Sequence, residues 1–168
     1  GEGANQPQIA LSDDGKQVTA VWSWSGGSQE RVQARSSSDG GVTWTPAADL
    51  SEAGRQSTNA QIAASASGSH ITVAWQGDDG SRMRVLSSSS TDDGTTWTTP
   101  VTHSEAGSSA DNPHVAVSAD GTSAAVVWYR LIDFNPSRVE AAVSADRGAT
   151  WSEPDVLSDT TLDSMDPQ

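Results

Sequence analysis

Three copies of one short pattern constrain this chain more than any other feature. The segment Ser37-Ser38-Asp39-Gly40-Gly41-Val42-Thr43-Trp44 returns as Ser90-Thr91-Asp92-Asp93-Gly94-Thr95-Thr96-Trp97 and again as Ser144-Ala145-Asp146-Arg147-Gly148-Ala149-Thr150-Trp151. The shared form is S-x-D-x-G-x-T-W. The step is 53 residues from Trp44 to Trp97 and 54 from Trp97 to Trp151. Other landmarks keep the same step: Trp22, Trp75 and Trp128, and then Gln8, Gln61, His114 and Gln168. The last four follow Gln6-Pro7, Asn59-Ala60, Asn112-Pro113 and Asp166-Pro167 in turn. A fixed period of this length marks stacked supersecondary units, none of which buries its apolar face alone. The repeats cover about 1–53, 54–107 and 108–160, and residues 161–168 start a fourth.

Within a repeat the periodicity is that of strands. Ile9 and Leu11, Val18, Ala20 and Trp22, and Ile71, Val73 and Trp75 alternate at period two between turn signals. No helix is needed. In the first repeat strand A is expected near Gln8–Ser12, B near Gln17–Ser23, C near Arg31–Ser37 and D from about Thr43 to Ala48. Asp13-Asp14-Gly15-Lys16, Ser67-Gly68-Ser69 and Asp120-Gly121-Thr122 join A to B, each with a Gly for the positive φ of a tight hairpin. The unit is a four-stranded antiparallel sheet, made three times.

Composition then limits the partners. Of 168 residues, 22 are acidic and 9 basic, a formal charge of -13 that repels phosphate backbones and anionic membrane. Ser, Thr, Asp and Gly are abundant enough for disorder, but seven Trp, six of them regularly placed, argue for order. Zero Cys removes disulfides, thiolate metal sites and Cys nucleophiles, and no apolar run approaches membrane-spanning length. A single Lys, the acidic excess and Ser/Thr-rich strands suit a secreted or cell-surface bacterial protein.

The S-x-D-x-G-x-T-W copies resemble the Asp-box of bacterial sialidase-type (BNR) repeats, and all three match it fully. The resemblance implies an all-β fold of three β-propeller blades with Asp-box hairpins between strands C and D. It assigns Ser37, Asp39, Gly41 and Trp44, Ser90, Asp92, Gly94 and Trp97, and Ser144, Asp146, Gly148 and Trp151 a structural role. Propellers close with four to eight blades. Three blades therefore imply part of a larger propeller, completed by a longer parent chain, or half of a six-bladed ring of two copies.

Ligands are expected on the end carrying the B-to-C and D-to-A connections, opposite the boxes. Residues that break the repeat are the better candidates there. Trp24 has Gly77 and Arg130 as counterparts, and Tyr129, Arg130, Leu131, Ile132, Asp133 and Phe134 form an aberrant third B-to-C connection. An exposed aromatic can stack on a sugar, pack on its own loop or meet a partner. Arg31, Arg84 and Arg138 each stand eight residues before an Asp-box Asp, and three arginines can clamp a carboxylate. The resemblance suggests such a triad, and the repeat suggests instead that each arginine pairs with a neighbouring strand's acid. Tyr129-Arg130-Leu131 resembles the sialidase Tyr/Phe-Arg-Ile/Leu-Pro segment, with Ile132 in place of Pro. A sialidase reaction needs a Tyr nucleophile with a carboxylate partner and a carboxylic acid; Tyr129 is the one Tyr, and Glu30 and Asp133 could supply carboxylates near the same face.

No cofactor is expected. His70, His103 and His114 lack ligand spacing, and Ca²⁺ is the one ion the acids Asp78, Asp79, Asp155, Asp159, Asp163 and Asp166 would attract. Three readings follow: a binding or scaffold module for glycan or extracellular protein, a sialidase-type exo-glycoside hydrolase, and a structural assembly module. The missing sialidase motifs favour the first.

Overall fold

The computed structural model describes residues 3–27, 29–131 and 137–158. All of the secondary structure is strand, so no helix is long and apolar enough to cross a membrane among the described residues. The first blade is β1 (Gly3–Leu11), β2 (Val18–Ser25), β3 (Glu30–Ser37) and β4 (Ala48–Asp49). The second is β5 (Ser57–Ala64), β6 (Ile71–Asp78), β7 (Met83–Ser90) and β8 (Val101–Thr102). The third is β9 (Ser109–Val117), β10 (Ala124–Leu131), β11 (Arg138–Ser144) and β12 (Asp155–Val156). Each is an antiparallel four-stranded sheet in chain order, so the chain is three propeller blades. The start of a fourth repeat lies outside the described residues.

The Asp-box turn is closed by its own side chains. Thr43 donates its N–H (2.8 Å) and hydroxyl (2.5 Å) to Asp39, Ser37 donates to the same carboxylate (2.7 Å), and Gly41 N–H donates to Ser37 Oγ (2.9 Å). Asp92 and Asp146 are held the same way by Thr96 and Ser90 and by Thr150 and Ser144. The threonine hydroxyl and N–H hold Asp39 and Asp146 down to about 2 and lower Asp92 from the ordinary carboxylate value. Trp44 and Trp151 donate their indole N–H to the carbonyls of Gly41 and Gly148, whereas Trp97 makes no such bond.

The outer strand is shorter than the sequence suggests, starting at Ala48 rather than Thr43. The cause is a side chain that takes over the ladder. Thr45 N–H donates to Ser36 O while Thr45 Oγ1 accepts from Ser36 N–H, and Pro46 has no N–H to continue. Thr98 with Ser89 and Ser152 with Val143 repeat the arrangement.

Blades join at two levels. At the box end, each box turn bonds to its own A-to-B turn (Gly40 N–H to Lys16 O), and successive A-to-B turns bond to each other through Asp13 to Ala66 and Ala66 to Ala119. The boxes and A-to-B turns therefore share one end of the sheets. On strand A, Gln6, Asn59 and Asn112 all have positive φ, 50°, 54° and 56°, where the pairing register shifts. This bulge is what the repeated Gln-Pro, Asn-Ala and Asn-Pro landmarks encode. Its side chains bridge blades, since Gln6 and Asn59 exchange two hydrogen bonds of 2.8 and 3.0 Å.

Between these levels lie the two apolar seams. Val21, Val32, Ala34 and Leu50 of the first blade meet Ala60, Val73 and Trp75 of the second, with Trp97 against them. Ala74 and Val85 meet Ala110, Val126, Trp128 and Ala142, with Trp151 against them. In each seam a box Gly comes down onto strand C of the preceding blade. A Cβ on Gly94 would lie 2.0 Å from Ser36 Oγ, and one on Gly148 would lie 2.2 Å from Ser89 Oγ. A Cβ on Gly41, in the first described blade, would touch only Trp44, at 3.7 Å. The outward faces are correspondingly exposed. Trp22 is half-buried where Trp75 and Trp128 are 1% exposed, and Ile9 and, on the far face, Val143 and Leu157 are more than half exposed.

Two predictions follow from the seams. Gly41, Gly94 and Gly148 all have positive φ, so Ala at any of them costs about 1–2 kcal/mol through the backbone. Gly94→Ala and Gly148→Ala are expected to lose more than Gly41→Ala in chemical denaturation, because only they also collide with a serine.

The second concerns His103, buried at the seam of blades two and three, 2.7 Å from Ser87 Oγ and edge-on to Trp151 at 4.6 Å. Burial pushes it down from 6.5 to about 4. The unfolded chain takes up a proton below pH 6.5 and the folded chain resists until about 4, so stability is full above 6.5 and falls by roughly 3 kcal/mol as pH drops through that window. Leu50 with Ala34 and Leu157 with Ala141 occupy the corresponding places in the other repeats. The double variant His103→Leu/Ser87→Ala should flatten unfolding free energy against pH between 6.5 and 4. A slope remains from His70, whose pKa burial also lowers. An unchanged slope would show that His103 does not govern it.

Candidate functional site

The end opposite the boxes is built from the B-to-C and D-to-A connections, and polar side chains brace it. Glu30, where the first B-to-C connection enters β3, accepts from Asn5 (2.6 Å) and from Gln56 (2.8 Å) of the next D-to-A connection. Both of its oxygens are thereby committed to holding two blades together. Asp79 accepts the N–H groups of Ser81 and Arg82 and the Arg84 guanidinium (3.0 Å), which hold its carboxyl well below the usual range. Asp78 accepts from Gly80 N–H at 2.9 Å. The pair that would attract Ca²⁺ thus shapes its own loop, and no group of three or more potential metal ligands gathers among the described residues. Asp155 lies on β12; Asp159, Asp163 and Asp166 are outside the described residues.

The three strand-C arginines sit on separate blades, and Arg31 and Arg84 have local partners. Arg31 pairs with Asp49 of the adjacent β4 at 2.9 Å and lies 4.3 Å over the Trp24 ring. Arg84 is tied to Asp79 and to the Ser104 hydroxyl and carbonyl. Arg138 stands opposite Arg130 in the β10–β11 pair. Trp24 covers its own loop as well: a Cβ on Gly26 would fall 1.5 Å from the indole. Tyr129 follows Trp128 on β10, and since Trp128 faces the second blade, the 45% exposed Tyr129 faces away from it. The structure therefore does not bring Tyr129 and Glu30 together. Asp133 and Phe134 lie outside the described residues, as does Ile132.

Arg130 and its surroundings show how the repeat fills this end. In the third blade buried Glu140 accepts from Trp128 Nε1 (3.2 Å) and from Arg130 (3.2 Å), and Arg130 also reaches Glu105 (2.6 Å) and Ser108. A buried charge needs such a partner set. In the second blade the register puts Leu86 where Glu140 stands and Gly77 where Arg130 stands. What the third blade fills, the second leaves open. A cleft of about 640 Å³ runs there, between Asp49 to Arg55 of the first D-to-A connection and Trp75, Gly77, Leu86 and Pro100 of the second blade. Its volume is in the range of small-molecule sites. Sequence reading missed Gly77 and Leu86 because it sought added side chains, and the signal was a pair of subtractions at repeat positions.

Residues 4–166 match the family described as BNR repeat-like domain. No curated protein matches the chain by sequence. Among solved structures it is similar to a Hadza microbial sialidase, at 14% identity and TM-score 0.65, over 88% of this chain and 36% of that one. A polysaccharide lyase, an ulvan lyase bound to a GlcA-Rha3S saccharide, matches at 13% identity and TM-score 0.65, over 94% and 44%. Trypanosoma rangeli sialidase in complex with the inhibitor DANA matches at 14% and 0.60, over 90% and 30%. The chain spans less than half the length of each of these structures.

Proposed function

The chain belongs to the BNR repeat-like family, and from that premise we propose that it is an extracellular recognition module that binds glycan, without cleaving it, on the end carrying the B-to-C and D-to-A connections. The cleft between the first two blades carries the proposal, because at about 640 Å³ it has room for a small ligand and opens between connections of that end. Two similar structures are sialidases and a third is a polysaccharide lyase, which supports a glycan ligand over a protein one. Binding is preferred to hydrolysis because Glu30 serves as a brace between blades and Tyr129 faces away from the second blade. The chain should be retained on immobilised oligosaccharides and should release no fluorophore from a fluorogenic sialoside. Turnover of the sialoside that disappears in Tyr129→Phe would overturn this reading in favour of the hydrolase.

A second reading, assembly, is favoured by the two outward blade faces. Ile9, Trp22 and Trp44 on one, and Val139, Ala141, Val143 and Leu157 on the other, occupy positions whose counterparts line the two closed seams. One face is thus the complement of the other, and a second copy placed head to tail would bury both. Light scattering on this 168-residue chain is expected to show a dimer that dissociates on dilution. A monomer at all concentrations would mean that two copies do not cover these faces.

A further inference from the structure

We infer that the cleft between the first and second blades is a site for a neutral carbohydrate, an inference that rests on the glycan-binding reading and narrows it to one place and one ligand class. Two polar groups point to a ligand there. Trp75 is 1% exposed and Ser57 3%, and both line the cleft; their polar atoms are not among the sealed, partnerless ones, which among the described residues are His70 Nδ1 and Trp97 Nε1, so they open onto the cleft. Trp75 Nε1 and Ser57 Oγ lie 3.4 and 3.5 Å from where a Gly77 Cβ would be, with Leu86 Cδ1 at 2.8 Å. Buried polar groups are normally paired. Trp128, the counterpart of Trp75, has its acceptor in Glu140, while Trp75 has the apolar Leu86 opposite it.

The walls select the ligand. An indole N–H that opens onto the cleft calls for an acceptor in whatever fills it, which an ammonium group lacks. An anion would supply one but would meet Asp49, Glu52, Asp78 and Asp79 against Arg55 and Arg84 on the same walls and Arg31 on Asp49, leaving Asp78 without a cationic partner among the described residues. Both arginines are already neutralised, by Glu52 and Asp79. A hydroxyl both donates and accepts, so it satisfies Trp75 and Ser57 and donates to the carboxylates. Leu50, Leu86 and Pro100 give apolar surface for the C–H faces of a sugar ring. In the neighbouring blade the corresponding place is filled by Arg130 and Glu140.

The test uses that natural filling. The double variant Gly77→Arg/Leu86→Glu copies the third blade into the second, closing the cleft and giving Trp75 its acceptor. Gly77→Trp, copying Trp24, is the second variant, and thermal unfolding checks that each is folded. Lactose, maltotriose and cellotriose serve as neutral probes and 3′-sialyllactose as the acidic one, with the Trp75 indole N–H resonance, assigned through Trp75→Phe, as readout. A neutral probe is expected to shift that resonance in the native chain and to bind roughly tenfold or more weakly to a folded filled variant. Equal binding by the filled variants, or binding of 3′-sialyllactose alone, would overturn the cleft assignment and leave glycan recognition standing. Binding of none of the four would overturn both.

Discussion

Everything in this molecule hangs on how closely one blade can approach the next. Gly94 and Gly148 bring the turn of each box down onto the serines of the preceding third strand, closer than any side chain allows. That contact fixes the depth at which Trp97 and Trp151 enter the seams, and the tryptophans fix how much apolar surface leaves water. No blade has a core of its own. The apolar side chains of the middle blade are divided between two faces, and each face is completed by a neighbour. The Asp-box hydrogen bonds matter because they hold the glycine in position for this approach, and their carboxylates are among the most acidified groups in the chain for the same reason.

The repeat made most of the fold legible. Strand identity, the four-stranded blade and the box chemistry are all readable in the S-x-D-x-G-x-T-W copies and the alternating apolar residues. The landmark dipeptides Gln6-Pro7, Asn59-Ala60 and Asn112-Pro113 were visible as register marks, but not as the positive-φ bulge they encode, since neither Gln nor Asn announces that conformation. The short outer strand was illegible because Thr45 looks like any strand threonine until its hydroxyl is seen replacing a ladder bond. The site was less legible still. Trp24 stood out as an extra aromatic, and the structure commits it to Gly26 and Arg31. Gly77 and Leu86 look unremarkable singly, and they acquire meaning only beside Arg130 and Glu140 across the register.

Unequal repeats on an equal scaffold explain where chemistry can reside. The box end is nearly invariant, because each turn must satisfy the same contacts with its own hairpin and with the blade before it. At the other end the blades solve one packing problem three ways: an aromatic over an arginine, an open cleft, and a buried ion pair. Such freedom exists because that end is held by scattered side-chain braces such as Glu30 with Gln56, rather than by a continuous backbone network.

The curtailed outer strand has a further effect, on the company this chain keeps. A protein made of sheets normally exposes rows of unpaired backbone groups along which another chain can extend the ladder. Here β3 has its outward groups answered by a two-residue strand, the Thr45 hydroxyl and the Ser51 hydroxyl, and Pro46 stands just before that strand. The other blades do the same with Thr98 and Ser104, and with Ser152 and Ser158. The rim therefore offers no run of free donors long enough to template a fifth strand. The rim of a chain built almost wholly of β-structure is in this way closed to strand addition, whatever its blades meet on their faces.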